Sequence, residues 1–97
     1  MSEEGRLDKE LKRGAEASQL IENPIFREVM DGIEQEIDDL SLSIPTTDKD
    51  LCVDIIMRKQ VFESIKGQIV NYIQTGRMAK QMIEQNEQMN KEPVFKR

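Results

Sequence analysis

Three carboxylates, Asp31, Glu34 and Asp38, follow one another at steps of three and four residues. On a helix that spacing sets them one turn apart on a single face. Such a trio could hold a divalent cation or serve as paired acid and base groups. It needs a second element to converge on it before it can do either. The same spacing marks an ordinary solvated acidic face, and that is the preferred reading. Cys52 stands near an expected helix start, a setting that can activate a thiol, and reads more simply as a small hydrophobe.

Arg58 is the sharper anomaly. It interrupts the apolar series Leu51, Ile55, Phe62, Ile65, Ile69 and Tyr72 where the spacing expects a core residue. An unpaired buried charge is expensive. One reading is an internal ion pair with Glu34, Glu36 or Asp38 across a helical hairpin, which would set its register. The other has the guanidinium snorkel to the edge, and spacing does not choose between them. Met78, Met82 and Met89, together with Ile83, form a sparse apolar face that nothing else in the chain is left to cover. Thioether side chains fill irregular gaps and suit partner grooves. These residues, with Leu7 and Leu11 of the first segment, are the candidate partner or oligomer contacts.

Most common catalytic designs are missing from the sequence. With no His, neither a Ser-His nor a Cys-His pair can form, and imidazole metal sites are excluded. One Cys cannot build a thiolate zinc site. The five glycines are scattered, with no GxxxxGK or GxGxxG among them. No catalytic residue, cofactor or metal ligand is assigned, and the chain reads as non-enzymatic.

The elements that must position these residues are helices. The 97 residues are 37% hydrophobic, with no Trp, one Tyr and three Phe. A chain this short and this poor in aromatic filler is expected to complete its core against a partner or copies of itself. Net charge is −5, divided unevenly: −8 over residues 1–50 and +3 over 51–97. An acidic first half does not suit wrapping nucleic acid, which needs a clustered basic face. A single cysteine forms no intrachain disulfide and points to a reducing interior. The start MSEEGRLDKE lacks a signal-peptide pattern, and no run approaches the roughly 20 apolar residues of a membrane span.

Residues 1–6 read as a flexible N-terminus. Residues 7–90 read as a single helical domain with helices at about 7–21, 24–43, 48–75 and 77–90, followed by a flexible tail at 91–97. Leu7, Leu11, Gly14, Ser18 and Ile21 trace a weak seam with small residues in its middle. Asn23-Pro24 is a start signal, since Asn caps well and Pro tolerates the first helical position. Phe26, Met30, Ile33, Ile37, Leu40 and Ile44 then repeat at steps of four and three, with near-coiled-coil spacing. Pro45 ends that helix, and Thr47 with Asp50 approximates a capping box for the next. Gly76 either ends the third helix in a left-handed cap or merely softens it. If the helix runs unbroken to 90, it has no partner of equal length within the chain, and its end should project or meet another subunit. In the tail, Pro93 stops a helix, and Val94-Phe95-Lys96-Arg97 is either disordered or a docking hook.

Two stretches carry a resemblance. RGAEASQLIENPIFREVMDGIEQEI, residues 13–37, is similar to the opening of a widespread group of small tailed-phage proteins. Their pattern of an Arg, an Ala-rich turn, a Leu-Leu-like pair, (N/D)P(L/I)(L/F) and an acidic amphipathic helix matches Arg13, Ala15, Ala17, Leu20-Ile21, Asn23-Pro24-Ile25-Phe26 and IEQEI. Residues 64–84 resemble the group's closing helix with its (T/D)GK(L/I)A element, here Thr75-Gly76-Arg77-Met78-Ala79. The group often has a Trp in its loop region, where this chain has Ser41-Leu42. The genes of the group tend to lie among packaging and capsid genes. The resemblance therefore implies a phage protein of virion assembly or DNA packaging, and it carries no catalytic residue over.

The combined expectation is an all-α fold: an antiparallel helical hairpin with an additional N-terminal helix and an extended C-terminal helix. The expected function is a non-enzymatic, homo-oligomeric phage protein that binds another phage structural or packaging protein. It would act in the host cytoplasm or on the virion, away from any membrane. One alternative is a DNA-binding small packaging subunit, terminase-like, in which a ring pools Lys66, Arg77, Lys80, Lys91, Lys96 and Arg97. Another is an acidic helical inhibitor of a host DNA-binding enzyme, with residues 28–39 and 48–54 imitating phosphates.

Overall fold

The fold is all-α. A computed structural model describes residues 3–91 as three helices: α1 (Glu3–Glu22), α2 (Pro24–Ser43) and α3 (Lys49–Lys91). Residues 92–97, with the tail and its hook, lie outside the described residues. At the other end, the flexible N-terminus expected over 1–6 is helical from Glu3 onward. Arg6 bridges Glu10 at 3.2 Å and Glu3 at 3.5 Å, pairs that favour a helical first turn.

The α1–α2 junction follows the local chemistry of Asn23-Pro24. Asn23 is extended (φ −69°, ψ 124°), as the residue before a proline must be, and its side chain accepts from the Phe26 amide at 2.9 Å. Its own amide donates to the Leu20 carbonyl and closes α1. The second junction repeats the device. Ile44, before Pro45, is extended (φ −92°, ψ 130°) and ends α2. The cap of α3 differs from the expected Thr47–Asp50 box. Asp48 accepts from the Leu51 amide at 3.2 Å through its side chain and from the Cys52 amide through its carbonyl. A carboxylate is as good an N-cap as a hydroxyl, and here it stands one residue closer to the first turn.

α3 passes through Gly76 without a stop, and among the described residues no glycine has a positive φ. The expected division into 48–75 and 77–90 is therefore replaced by one helix. The chain clusters in two compact units, each described by itself.

The first unit, residues 20–69, is the hairpin of α2 and the opening half of α3. Its core is small: Ile37, Ile55 and Phe62 are buried, with Met30, Leu40 and Ile44 packed against them. The seam read on the sequence of α2 supplies four of these six residues. On α3 the inward residues Ile55, Phe62 and Ile69 repeat every seven, whereas Leu51 and Ile65 of the expected series face solvent.

The second unit joins α1 up to residue 19 with α3 from residue 70. Leu7, Gly14 and Ala17 are buried from α1, and Ile73, Gly76 and Ala79 from α3. Gly14 lies against Gly76 and the Tyr72 carbonyl, while the Glu10 carbonyl lies against Gly76. Rising numbers on α1 thus meet falling numbers on α3, and the two helices run antiparallel. The latter half of α3, expected to project or to meet another subunit, packs against α1.

Candidate functional site

The hairpin unit buries few of its apolar side chains, and those left over are ordered. On α2, Ile25, Val29 and Ile33 lie four residues apart and form a ridge beside the buried seam. On α3, Met57, Val61 and Ile65 do the same. Met57 is 58% exposed and Val61 61% exposed. Between the two helices runs an open groove of about 380 Å³, with Met30, Ile37, Leu40 and Phe62 along its floor and Ile33, Met57, Val61 and Ile65 on its rims. Two charges complete the lining, Glu36 from α2 and Arg58 from α3. A concave apolar surface with a single acid and a single base is equipped to bind another apolar helical surface.

Arg58 stands at this groove and makes its contact within its own helix. Its Nε donates to Asp54 Oδ2 at 3.0 Å, one turn back, with both side chains more than half exposed. The internal ion pair, one of the two readings of Arg58, is not formed with Glu36, nor with Glu34 or Asp38. Glu34 and Asp38 are exposed on α2, and an i−4 carboxylate on the same helix reaches the guanidinium without crossing the core. Asp31 is exposed as well, and among the described residues no three His, Cys, Asp or Glu side chains gather as metal ligands. Cys52 is half-buried, with its Sγ 3.7 Å from the Pro45 carbonyl oxygen at the base of the hairpin.

The candidate contacts of the second unit separate into three sets by exposure. Leu7 is 1% exposed, an interior residue where an outward contact was expected. Leu11 and Ile83 are half-buried, whereas Met78, Met82 and Met89 remain open, Met89 at 72%. Leu7 turns inward because it lies one heptad before Gly14, on the face that meets α3. Of the bases considered for pooling on DNA, Lys66 pairs with Glu63 at 3.8 Å and lies 5.3 Å from the Phe62 ring centre. Arg77 and Lys80 are exposed, and the side chain of Lys91 and the residues Lys96 and Arg97 lie outside what the structure describes.

Comparison with known proteins finds no matching family model, no matching curated protein and no matching solved structure. The groove is thus read from its own chemistry. Met57, and the ridge that it forms with Val61 and Ile65, lie outside the sites expected from the sequence. The signal was available: three apolar residues at i, i+4 and i+8, displaced by one position from the seam that holds Phe62. No helix among the described residues is long and apolar enough to cross a membrane.

Proposed function

We propose that this chain is a non-enzymatic helical interaction protein that self-associates and binds another protein, in the setting of phage virion assembly or genome packaging. The observation that carries the interaction reading is the hairpin unit, in which three buried side chains stand against two open apolar ridges around a groove. A two-helix layer with so small a core gains little from burial by itself, and its remaining apolar face is satisfied by a second layer. The phage setting rests on the resemblance of residues 13–37 and 64–84 alone. Met78, Met82 and Met89 offer a second, adaptable surface for a partner of different sequence.

The test is absolute mass by light scattering across a concentration series at low and high salt. An oligomer that survives high salt supports association through apolar surface, which is screened little by ions. A clean 11.3 kDa monomer at every concentration overturns the self-association part of the reading.

A further inference from the structure

Building on the self-association reading, we infer that the groove of the hairpin unit is closed by the same groove of a second copy. The product is a four-helix bundle made of two hairpins, with Glu36 of each copy facing Arg58 of the other. Three features of the groove point to a second copy as the occupant.

The first is what the hairpin lacks. Ile33 on α2 and Met57, Val61 and Ile65 on α3 rim one open face, the exposed Ile25 and Val29 continue the α2 ridge beyond it, and that face is the one left by a four-helix bundle cut in half. At the shallow crossing angle of a bundle, rows at four-residue spacing on one helix face rows at three-residue spacing on the other, and an identical hairpin supplies both. The second is area. A stable interface covers about 800 Å² per partner, close to a tenth of a small protein's surface. A tenth of the 7863 Å² that the chain exposes is about 790 Å², the area that a second copy has to cover, and the exposed rim residues Ile33, Met57, Val61 and Ile65 are available for it. A lone foreign helix laid in the groove would cover the floor and leave the outer flanks of both ridges wet.

The third feature is the charge pattern, and it selects the symmetry. Glu36 lies eight residues before Ile44, and Arg58 ten residues after Asp48. In an antiparallel hairpin the two therefore stand within about 3 Å of the same height. A two-fold axis parallel to the helices places α2 of one copy over α3 of the other at unchanged height. Glu36 then meets Arg58 of the second copy, and the reciprocal pair forms by symmetry. Arg58 has donors to spare for this, since its bond to Asp54 engages only Nε. All neighbouring helices in the product run antiparallel, as in an up-down-up-down bundle.

The experiment is sedimentation equilibrium on the full chain and four variants, with circular dichroism to check helicity. Val61→Glu places a charge on an exposed rim, so the hairpin keeps its own core. It is expected to weaken dimerisation at least about 100-fold. Leu42→Glu, at an exposed position away from the groove lining, is expected to leave the mass unchanged. Glu36→Arg alone sets like charges against each other across the interface and is expected to weaken the dimer about tenfold or more. Glu36→Arg with Arg58→Glu restores opposite charges and is expected to return to within about threefold of wild type. A wild-type oligomer whose mass ignores Val61→Glu overturns the groove as the interface while self-association stands. Dissociation by Val61→Glu without rescue by the charge swap overturns the Glu36–Arg58 register. A wild type that is monomeric throughout overturns this inference together with the self-association on which it rests.

Discussion

Gly14 and Gly76 meet backbone to backbone where α1 crosses the latter half of α3. A Cβ on either residue would stand 2.8 Å from the other's Cα, and one on Gly14 would also stand 2.9 Å from the Tyr72 carbonyl oxygen. These neighbours are main chain, so nothing flexible can give way. The close approach also brings the helices near enough for Arg13 to lie 5.0 Å from the centre of the Tyr72 ring.

Alanine at these two positions therefore sets a helix-propensity gain against a steric loss. In an open helical site Gly→Ala stabilises by about 0.5–1 kcal/mol. Overpacking a close contact costs about 1–3 kcal/mol, and with backbone at 2.8 Å the steric term wins. Gly14→Ala and Gly76→Ala are each expected to destabilise. Gly32→Ala and Gly67→Ala, with nothing within 4 Å, are expected to stabilise by about 0.5–1 kcal/mol. Urea denaturation at fixed protein concentration measures all four. A stabilising Gly76→Ala would show that the two helices do not touch here.

The start of α3 offers a choice between neighbouring residues. Asp48 accepts from the Leu51 amide at 3.2 Å, so Asp48→Ala is expected to cost about 0.5–2 kcal/mol. Thr47→Ala, at an exposed loop position outside that bond, is expected to stay within about 0.5 kcal/mol of wild type. Asn23→Ala at the start of α2 is expected to match Asp48→Ala, because its side chain performs the same task on the Phe26 amide. Thermal denaturation followed by circular dichroism ranks the three, and equal losses at Thr47 and Asp48 would remove the assigned cap.

These caps mark how far the sequence is legible. Asn23-Pro24 and Pro45 declare helix boundaries through local sterics, and the seam from Met30 to Ile44 declares the inner face of α2 through its period. Both signals are short-range. Gly76 was ambiguous for the opposite reason. A glycine in a helical pattern weakens a free helix, and only the tertiary approach of Gly14 converts the same residue into a packing site. The two glycines lie 62 residues apart, and no spacing rule connects them. The covering of α3 by α1 was hidden with them. Groove and ridges were half legible: Ile33 and Ile65 were visible as apolar positions, but whether they turn outward depends on the tilt of one helix against another.

Arg58 shows the same limit at a single side chain, and a double-mutant cycle resolves it. The structure pairs it with Asp54 at 3.0 Å, both groups being more than half exposed. The coupling energy between Arg58→Ala and Asp54→Ala is expected at about 0.3–0.5 kcal/mol, the value of an exposed i,i+4 pair, and should fall in high salt. Coupling of Arg58 with Glu34 or with Asp38 is expected to be near zero within one chain. A coupling above about 1 kcal/mol with either acid would restore the cross-hairpin pair.

Leu7 separates interior from surface in the second unit, and its substitution is the most direct test of how α1 is held. A leucine 1% exposed, on the face of α1 that meets α3, loses both its transfer free energy and its packing when cut to alanine. Leu7→Ala is expected to destabilise by about 2–5 kcal/mol, a large share of what a 97-residue chain possesses. The loss should appear first as melting of α1, read by amide hydrogen exchange, because among the described residues of its unit α1 packs on the latter half of α3. Met89→Ala, at a side chain 72% exposed, is expected to stay within about 0.5 kcal/mol. If Leu7→Ala proved as silent as Met89→Ala, α1 would be held by something other than its contact with α3, and Leu7 would return to the outward-facing set with Met78, Met82 and Met89.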